Sequence, residues 1–229
     1  MSNKRYDNFV KWNNEMIKKF DLEHYHDNFN FVIRFIEHKR VECILSFLKI
    51  NKKDIVIEIG CGVGDILNKI NSNKLIGVDI SQYILNIAKK RYKNIRFING
   101  NAENLPIKIS RNKYDKIICS EVLEHVENPV KVLKEIKKIS KNNSIIVISA
   151  PNEKLINRIK VVLQRMKIFN FLFPNISKKM DDEWHLHSFD LKKIKNLIFD
   201  DYTIEKVRGI PYNFIPIRYV FKLKLKIND

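Results

Sequence analysis

The sequence predicts an α/β fold: a doubly wound, mostly parallel sheet with N-terminal helices before it and a small cap after its fifth strand. Three observations carry this. Ile55-Val56-Ile57-Glu58-Ile59 is an apolar strand that runs straight into a glycine loop, Gly60-Cys61-Gly62-Val63-Gly64. A second strand, Lys74-Leu75-Ile76-Gly77-Val78-Asp79, ends on a carboxylate 79 − 60 = 19 residues past the first glycine. From residue 54 onward strand and helix signals alternate, as a parallel sheet with crossover helices requires.

The elements follow in order. Residues 1–50 read as helical, with Phe31, Phe35, Val41, Ile44, Leu45 and Leu48 recurring at three- and four-residue steps on one apolar face. Strands fit 54–59, 74–79, 95–99, 114–119 and 144–149, and helices fit 64–71, 82–92 and 129–140. Asn128-Pro129 opens the last of these, a capping residue before a proline that lacks an N–H in the first turn anyway. Ser188 is positioned to cap a further helix to Phe199, and a strand fits Tyr202–Arg208. Residues 217–227 alternate, but Lys222, Lys224 and Lys226 crowd one face. A strand covered on both faces should not carry three lysines, so the tail is either an unusual seventh strand or a surface element. The chain reads as one domain over 1–229: helical region 1–50, cofactor-binding half 51–150, cap or lid 151–187, and C-terminal part of the sheet 188–229.

The loop spacing is G-x-G-x-G, with Asp65 where a dinucleotide fingerprint wants glycine. Glycines there let backbone approach a nucleotide-like ligand, and an acid about 20 residues on suits ribose hydroxyls. The residues therefore point to an adenosine-type cofactor other than NAD. Four segments in order then resemble the motifs of class I S-adenosylmethionine-dependent methyltransferases. They are Glu58–Gly64, Val78-Asp79-Ile80-Ser81, Asn99-Gly100-Asn101-Ala102-Glu103-Asn104-Leu105-Pro106, and Tyr114 through Val126 with its Glu121-Val122-Leu123-Glu124-His125 core. The resemblance implies a Rossmann-like methyltransferase fold that binds S-adenosyl-L-methionine. It places Glu58, Gly60, Cys61, Gly62, Gly64, Asp79, Ile80, Asn101, Ala102 and Glu121 around that cofactor. Asp79 would accept from the ribose hydroxyls and Ile80 would lie against adenine. Asn101 stands where the family commonly has Asp; it either accepts from the adenine amino group or serves only as a turn residue after Gly100.

Glu121, Glu124 and His125 are the most informative polar group after the loop. At i, i+3 and i+4 they share a face if the segment turns helically, at the carboxyl end of the fourth strand. His125, with Glu124, is the candidate general base for a hydroxyl acceptor. His185-Leu186-His187 supplies further imidazoles, and His187 joins the catalytic candidates. The competing reading is a divalent metal held by these carboxylates and imidazoles, as in the metal-assisted groups that Glu-x-x-Glu-His resembles. Those branches are the ubiquinone-biosynthesis O-methyltransferases and the small-RNA 3′-end 2′-O-methyltransferases. No residue is assigned outright as a metal ligand.

Other functions are limited by what the chain contains. After the fourth strand it reads Cys119-Ser120-Glu121-Val122, without the Asp/Asn-Pro-Pro-aromatic motif of enzymes that methylate exocyclic base amines, and it has no Pro-Cys nucleophile pair. DNA base methylation is thus disfavoured. Cys43, Cys61 and Cys119 lack CxxC spacing and read as free thiols of a reducing cytoplasm. No apolar run approaches the roughly 18 residues of a membrane span. The net charge of +17 either reflects a lysine-rich composition spread over solvent faces or marks an anionic partner. Within 151–180, apolar residues mix with Lys154, Arg158, Lys160, Arg165 and Lys167. This segment fits a lid over substrate, a basic amphipathic helix on an anionic membrane surface, or a helix packed on the sheet.

The expected activity is methyl transfer to oxygen, ahead of nitrogen, on a small or lipid-like metabolite. Alternatives are a metal-assisted RNA 2′-O-methyltransferase, which lacks an evident nucleic-acid stacking platform here, and a catalytically silent adenosyl-binding protein. Oligomeric state is left open.

Overall fold

The computed structural model describes residues 3–19, 30–172 and 184–226. Helices α1 (Asn3–Lys19) and α2 (Phe31–Leu48) come first. There follow β1 (Ile55–Ile59), α3 (Asp65–Asn68), β2 (Lys74–Asp79), α4 (Gln82–Arg91), β3 (Arg96–Asn99), α5 (Ile107–Ser110), β4 (Tyr114–Ser120), α6 (Pro129–Ile139) and β5 (Ser140–Pro151). Helices α7 (Glu153–Arg165), α8 (Phe169–Leu172) and α9 (Leu191–Ile198) lead to β6 (Tyr202–Tyr212) and β7 (Ile215–Leu225). The strands form one seven-stranded sheet in the order β3-β2-β1-β4-β5-β7-β6. All neighbours from β3 to β5 are parallel, and β7 runs antiparallel to both β5 and β6.

Strand alternation divides the core. Ile57, Ile59, Ile117, Cys119, Ile146 and Ile148 face one cluster, into which α6 and α9 send Leu133, Ile136 and Ile194. Val56, Ile118 and Val147 point the other way and pack with Ile44 and Leu48 of α2 and Leu85 of α4. Central strands are thus apolar on both faces, as helix-covered parallel strands must be.

The helix starts follow local chemistry. Asn128 Oδ1 accepts from Val130 and Lys131 N–H at 3.1 and 3.3 Å with Pro129 in the first turn, as expected. The cap of α9 is Asp190, whose Oδ1 accepts from Lys193 N–H at 2.9 Å, and not Ser188. The expected helix over 64–71 is shorter: Ile70 N–H bonds the Leu67 carbonyl at 3.0 Å, tightening and ending the turn. On α2 the expected apolar stripe is shifted, since Phe31 is exposed while the charged Glu37 and Arg40 are buried.

The tail is a strand inside the sheet. Lys222 is buried in β7, but its Nζ lies 2.9 Å from Glu205 Oε2, and Lys224 Nζ lies 2.9 Å from the other oxygen of the same carboxylate. One glutamate of the neighbouring strand β6 satisfies two lysines of β7. Lys226 turns its Nζ onto the Phe199 carbonyl. Cys43, Cys61 and Cys119 are buried free thiols, and no described helix is long and apolar enough to cross a membrane.

Candidate active site

Strand order reverses at β1, where the chain leaves β3 at one edge and re-enters on the far side as β4. The loops after β1 and β4 therefore part above the carboxyl ends of the strands and leave a crevice. Both motif-bearing loops issue into it. The glycine loop is held by β2: Gly60 and Cys61 N–H both donate to the Val78 carbonyl, at 2.7 and 3.0 Å. Gly62 N–H donates to Asp79 Oδ2 at 3.0 Å and Ser81 N–H to Asp79 Oδ1 at 2.9 Å. Gly62 has φ +51°, and a Cβ built there meets nothing within 4 Å, so it faces an open cradle. Gly64, at φ +86°, differs: its Cβ would lie 2.7 Å from Phe97 Cζ, and it is needed for packing.

Two adjoining cavities use this crevice. The smaller, about 130 Å³, is lined by Asp79, Ile80, Asn101 and Ala102. The larger, about 330 Å³, runs from Gly60–Val63 past His125 to Ile33 and Ile36 of α2, Ile156 and Ile159 of α7, Phe169 and Ile217. Gly60, Gly62, Ile84, Glu121, His125 and Trp184 border both. Asn101 lines the smaller cavity and is also a turn residue, its Oδ1 accepting from Glu103 N–H at 2.8 Å.

Buried carboxylates give the crevice its electrostatics. Glu58 is 2% exposed and its Oε2 has no hydrogen-bond partner among the described residues. Burial holds its proton well above the ordinary carboxylate range, with Arg40 opposing. Glu124 is similar, 1% exposed with Oε2 unpartnered, and raised by burial and then by Glu121. Burial also raises Asp79 against the pull of its N–H donors. S-adenosylmethionine carries a ribose diol, a sulfonium and an ammonium. An open glycine cradle, Asp79 at the loop and an orphaned buried carboxylate oxygen at Glu58 suit such a cation.

The residues after β4 are brought together unevenly. Glu121 takes a left-handed φ of +54° as the chain leaves the strand. Its carboxylate accepts from Ser149 Oγ at 2.8 Å and pairs with Arg218 Nε at 2.9 Å. Glu124, His125 and His185 converge instead, each with a ligand atom within 4.8 Å of the others. The His125 ring lies 4.5 Å from that of Trp184 and 4.8 Å from that of His185. His125 Nδ1 faces the Trp184 carbonyl at 3.4 Å. A carbonyl only accepts, so Nδ1 donates and Nε2 is the basic nitrogen of the neutral ring. His185 Nδ1 is 2.7 Å from Glu153 Oε1, and both are largely buried.

His187 is not brought to the site. Leu186 and His187 N–H both donate to the Glu124 carbonyl, at 2.7 and 3.2 Å, which bends the segment and parts the two rings. His187 Nε2 rests 3.2 Å from the Glu127 carbonyl and the ring lines neither cavity. His185 takes the place that the sequence reading gave to its neighbour.

That reading also missed the floor of the larger cavity. Glu37 Oε2 accepts from Arg40 Nε and Nη2 at 3.1 and 2.5 Å, and Glu37 Oε1 pairs with Arg218 Nη2 at 2.9 Å. Arg40 Nη1 donates to Ser120 Oγ, which is 2.8 Å from Ser149 Oγ. Two glutamates, two arginines and two serines thereby join α2, β4, β5 and β7. The available signal was an i, i+3 ion pair inside an otherwise apolar helix face.

Comparison with known proteins agrees with this geometry. Residues 50–201 match the family described as "Methyltransferase domain". An uncharacterized protein of Methanocaldococcus jannaschii is 32% identical over 162 residues, 67% of this chain and 69% of that one. The ubiquinone biosynthesis O-methyltransferase of Rickettsia typhi is 27% identical over 222 residues, 86% of this chain and 85% of that one. In fold, the chain is similar to magnesium protoporphyrin IX methyltransferase of Synechocystis PCC 6803, solved with bound SAH. The TM-score is 0.62 at 17% identity, over 99% of this chain and 100% of that one. With the glycine cradle, Asp79 and the adjoining cavities in place, the chain belongs to the methyltransferase-domain family and is an S-adenosylmethionine-dependent enzyme.

Proposed function

We propose that the protein methylates an oxygen of a small or lipid-like metabolite, with a quinone-type phenol as the model acceptor and His125 as the base. The observation that carries this is the larger cavity. It leads from the glycine loop past His125 into walls made by Ile33, Ile36, Ile156, Ile159 and Ile217. Such walls suit an apolar ring or chain better than the phosphate-bearing end of an RNA. The name of the Rickettsia relative supports oxygen as the acceptor atom.

When bound, S-adenosylmethionine supplies an electrophilic methyl on a sulfonium. The chain's residues position the acceptor, exclude water and take a proton. His125 Nε2 accepts the hydroxyl proton while Trp184 and His185 fix the ring from two sides. Asp79, Ile80, Asn101 and Ala102, which line the smaller cavity, would hold the adenosine end. Glu58, with its unpartnered oxygen, would meet the cationic end.

A second reading is favoured by one specific observation, the convergence of Glu124, His125 and His185 around an orphaned carboxylate oxygen. Two imidazoles and a carboxylate are a fit donor set for a divalent cation that would lower the pKa of a hydroxyl. The test follows labelled methyl from S-adenosylmethionine into organic-extractable, small-molecule and RNA fractions of a cell extract, with and without chelator. Label in the organic phase that survives chelator, and falls about 10²–10⁴-fold in His125→Ala with cofactor affinity kept, supports the base. Label lost with chelator and restored by Mg²⁺ or Zn²⁺ supports the metal, and label in RNA overturns the acceptor class.

A further inference from the structure

The elements that wall the larger cavity also carry exposed apolar side chains. Phe31 at the start of α2 is 70% exposed and Phe214 in the β6–β7 turn is 79% exposed. They belong to one aromatic run: Phe31 to Phe35 at 6.4 Å, Phe35 to Tyr212 at 6.3 Å, and Tyr212 stacked on Phe214 at 5.3 Å. The run adjoins the start of α7, because Asn152 N–H and Nδ2 donate to the Ile217 and Pro216 carbonyls at 2.8 and 2.9 Å. Phe171, in α8, is 86% exposed. The same elements turn Ile33, Ile36, Ile156, Ile159 and Ile217 inward to wall the cavity.

Charge among the described residues of this rim is mainly basic, with Asp190 beside Lys154 as an acid at the start of α7. The exposed surface of α7 and the residues just after it present Lys154, Arg158, Arg165 and Lys167, while Glu153, the helix's one acid, is buried. Glu153 is also the one fully buried residue of that amphipathic helix, so Val161 and Val162 remain exposed beside its cations. On α2, Arg34 stands exposed between Phe31 and Phe35. The β6–β7 turn, from Tyr212 to Pro216, has no charge. Aromatic side chains with mainly basic neighbours are the composition of a surface that inserts shallowly among anionic headgroups.

We propose that this rim docks on an anionic lipid bilayer, with the α2 start and the β6–β7 turn inserted and α7 lying along the headgroups. The cavity then opens toward the membrane, and an amphiphilic acceptor enters between α2 and α7 without crossing water. This use of the docked state rests on the acceptor reading above; the docking itself does not.

The test is flotation of the full-length protein with vesicles of phosphatidylcholine alone and of phosphatidylcholine mixed with phosphatidylglycerol. Wild type should float with the mixed vesicles, less so in high salt and little with the neutral ones. The double variant Phe31→Ser, Phe214→Ser should lose about tenfold in vesicle affinity. Its circular dichroism, S-adenosylhomocysteine binding and turnover of a detergent-dispersed acceptor should not change. Wild type that stays with the soluble fraction overturns the proposal, as does a double variant that floats like wild type. Loss of a dimer by the double variant in sedimentation velocity, with no vesicle binding by wild type, would assign the surface to a second copy of the chain. Flotation without methyl transfer to any oxygen acceptor would instead sink the acceptor reading and leave docking in place.

Discussion

Substituting alanine at Gly62 and, separately, at Gly64 distinguishes a glycine that binds from one that packs. Both have left-handed backbone, with φ of +51° and +86°, so each alanine costs about 1–2 kcal/mol of stability from backbone alone. At Gly62 the new Cβ meets nothing within 4 Å, so the loss should stop there. At Gly64 it would sit 2.7 Å from Phe97 Cζ and 2.9 Å from Phe97 Cε1, well inside van der Waals contact. Overpacking there adds about 1–3 kcal/mol, for a total of about 2–5. Ligand binding should rank the two in the opposite order. The Gly62 methyl enters the cradle and should weaken S-adenosylhomocysteine by about 1–3 kcal/mol, or roughly 5- to 150-fold. Gly64→Ala, once folded, leaves the cradle clear. Urea denaturation of the ligand-free proteins and calorimetric titration of S-adenosylhomocysteine read both axes. Wild-type affinity in Gly62→Ala, or equal stability losses in the two variants, would refute the assignment of the cradle.

Removing Arg218 as Arg218→Met should cost about 3 kcal/mol of stability by denaturant titration, the low end for breaking a buried pair. The low end applies because Glu37 keeps Arg40 and Glu121 keeps Ser149; a loss below about 1 kcal/mol would mean the pair behaves as an exposed one. Glu58, Glu124 and Asp79 are all raised by burial, so their contribution is complete below the unfolded carboxylate pKa and is lost as pH rises through the folded value. The ligand-free protein should therefore lose melting temperature as pH climbs above about 4.5, the ordinary value for a glutamate, and Glu58→Gln should flatten part of that slope. The stabilisation given by cationic S-adenosylmethionine should grow over the same range, and a shift independent of pH would count against Glu58 as its partner.

What was legible in the sequence was local. The β1 strand and its glycine loop are contiguous, Asp79 follows at a fixed distance, and Asn128-Pro129 marks a helix start with neighbouring residues alone. Where two signals stood close together, sequence could not choose between them. Ser188 and Asp190 both can cap, and the carboxylate won by reaching Lys193 N–H. His185 and His187 were equally available, and the Glu124 carbonyl, bonding two successive N–H groups, decided which ring faces the cavity. The lysines of β7 argued against a buried strand until Glu205, on the neighbouring strand, was seen to pair with two of them. Glu37, Arg40 and Arg218 were missed because their partners lie up to 181 residues away along the chain, as 218 − 37.

The division between legible and illegible residues follows the two halves of the chemistry. Cofactor groups come from consecutive β-loop segments, so a motif can carry them. The larger cavity, which we propose holds the acceptor, is assembled from α2, α7, α8 and β7, which reach it only when both ends of the chain close on the sheet. An ion-paired link between those ends is the Glu37–Arg218–Glu121 bridge, and Glu121 borders both cavities. Buried ion pairs contribute little net stability over apolar residues of similar volume, so stability alone gives weak grounds for one here. Its geometry gives better grounds. A bridge that tolerates few arrangements sets the distance between the end of β4, just before Glu121, and the helix that walls the larger cavity, and holds a residue of left-handed φ in place. Substitution of the isoleucines can then alter which acceptor fits while the cofactor half and this bridge stay as they are.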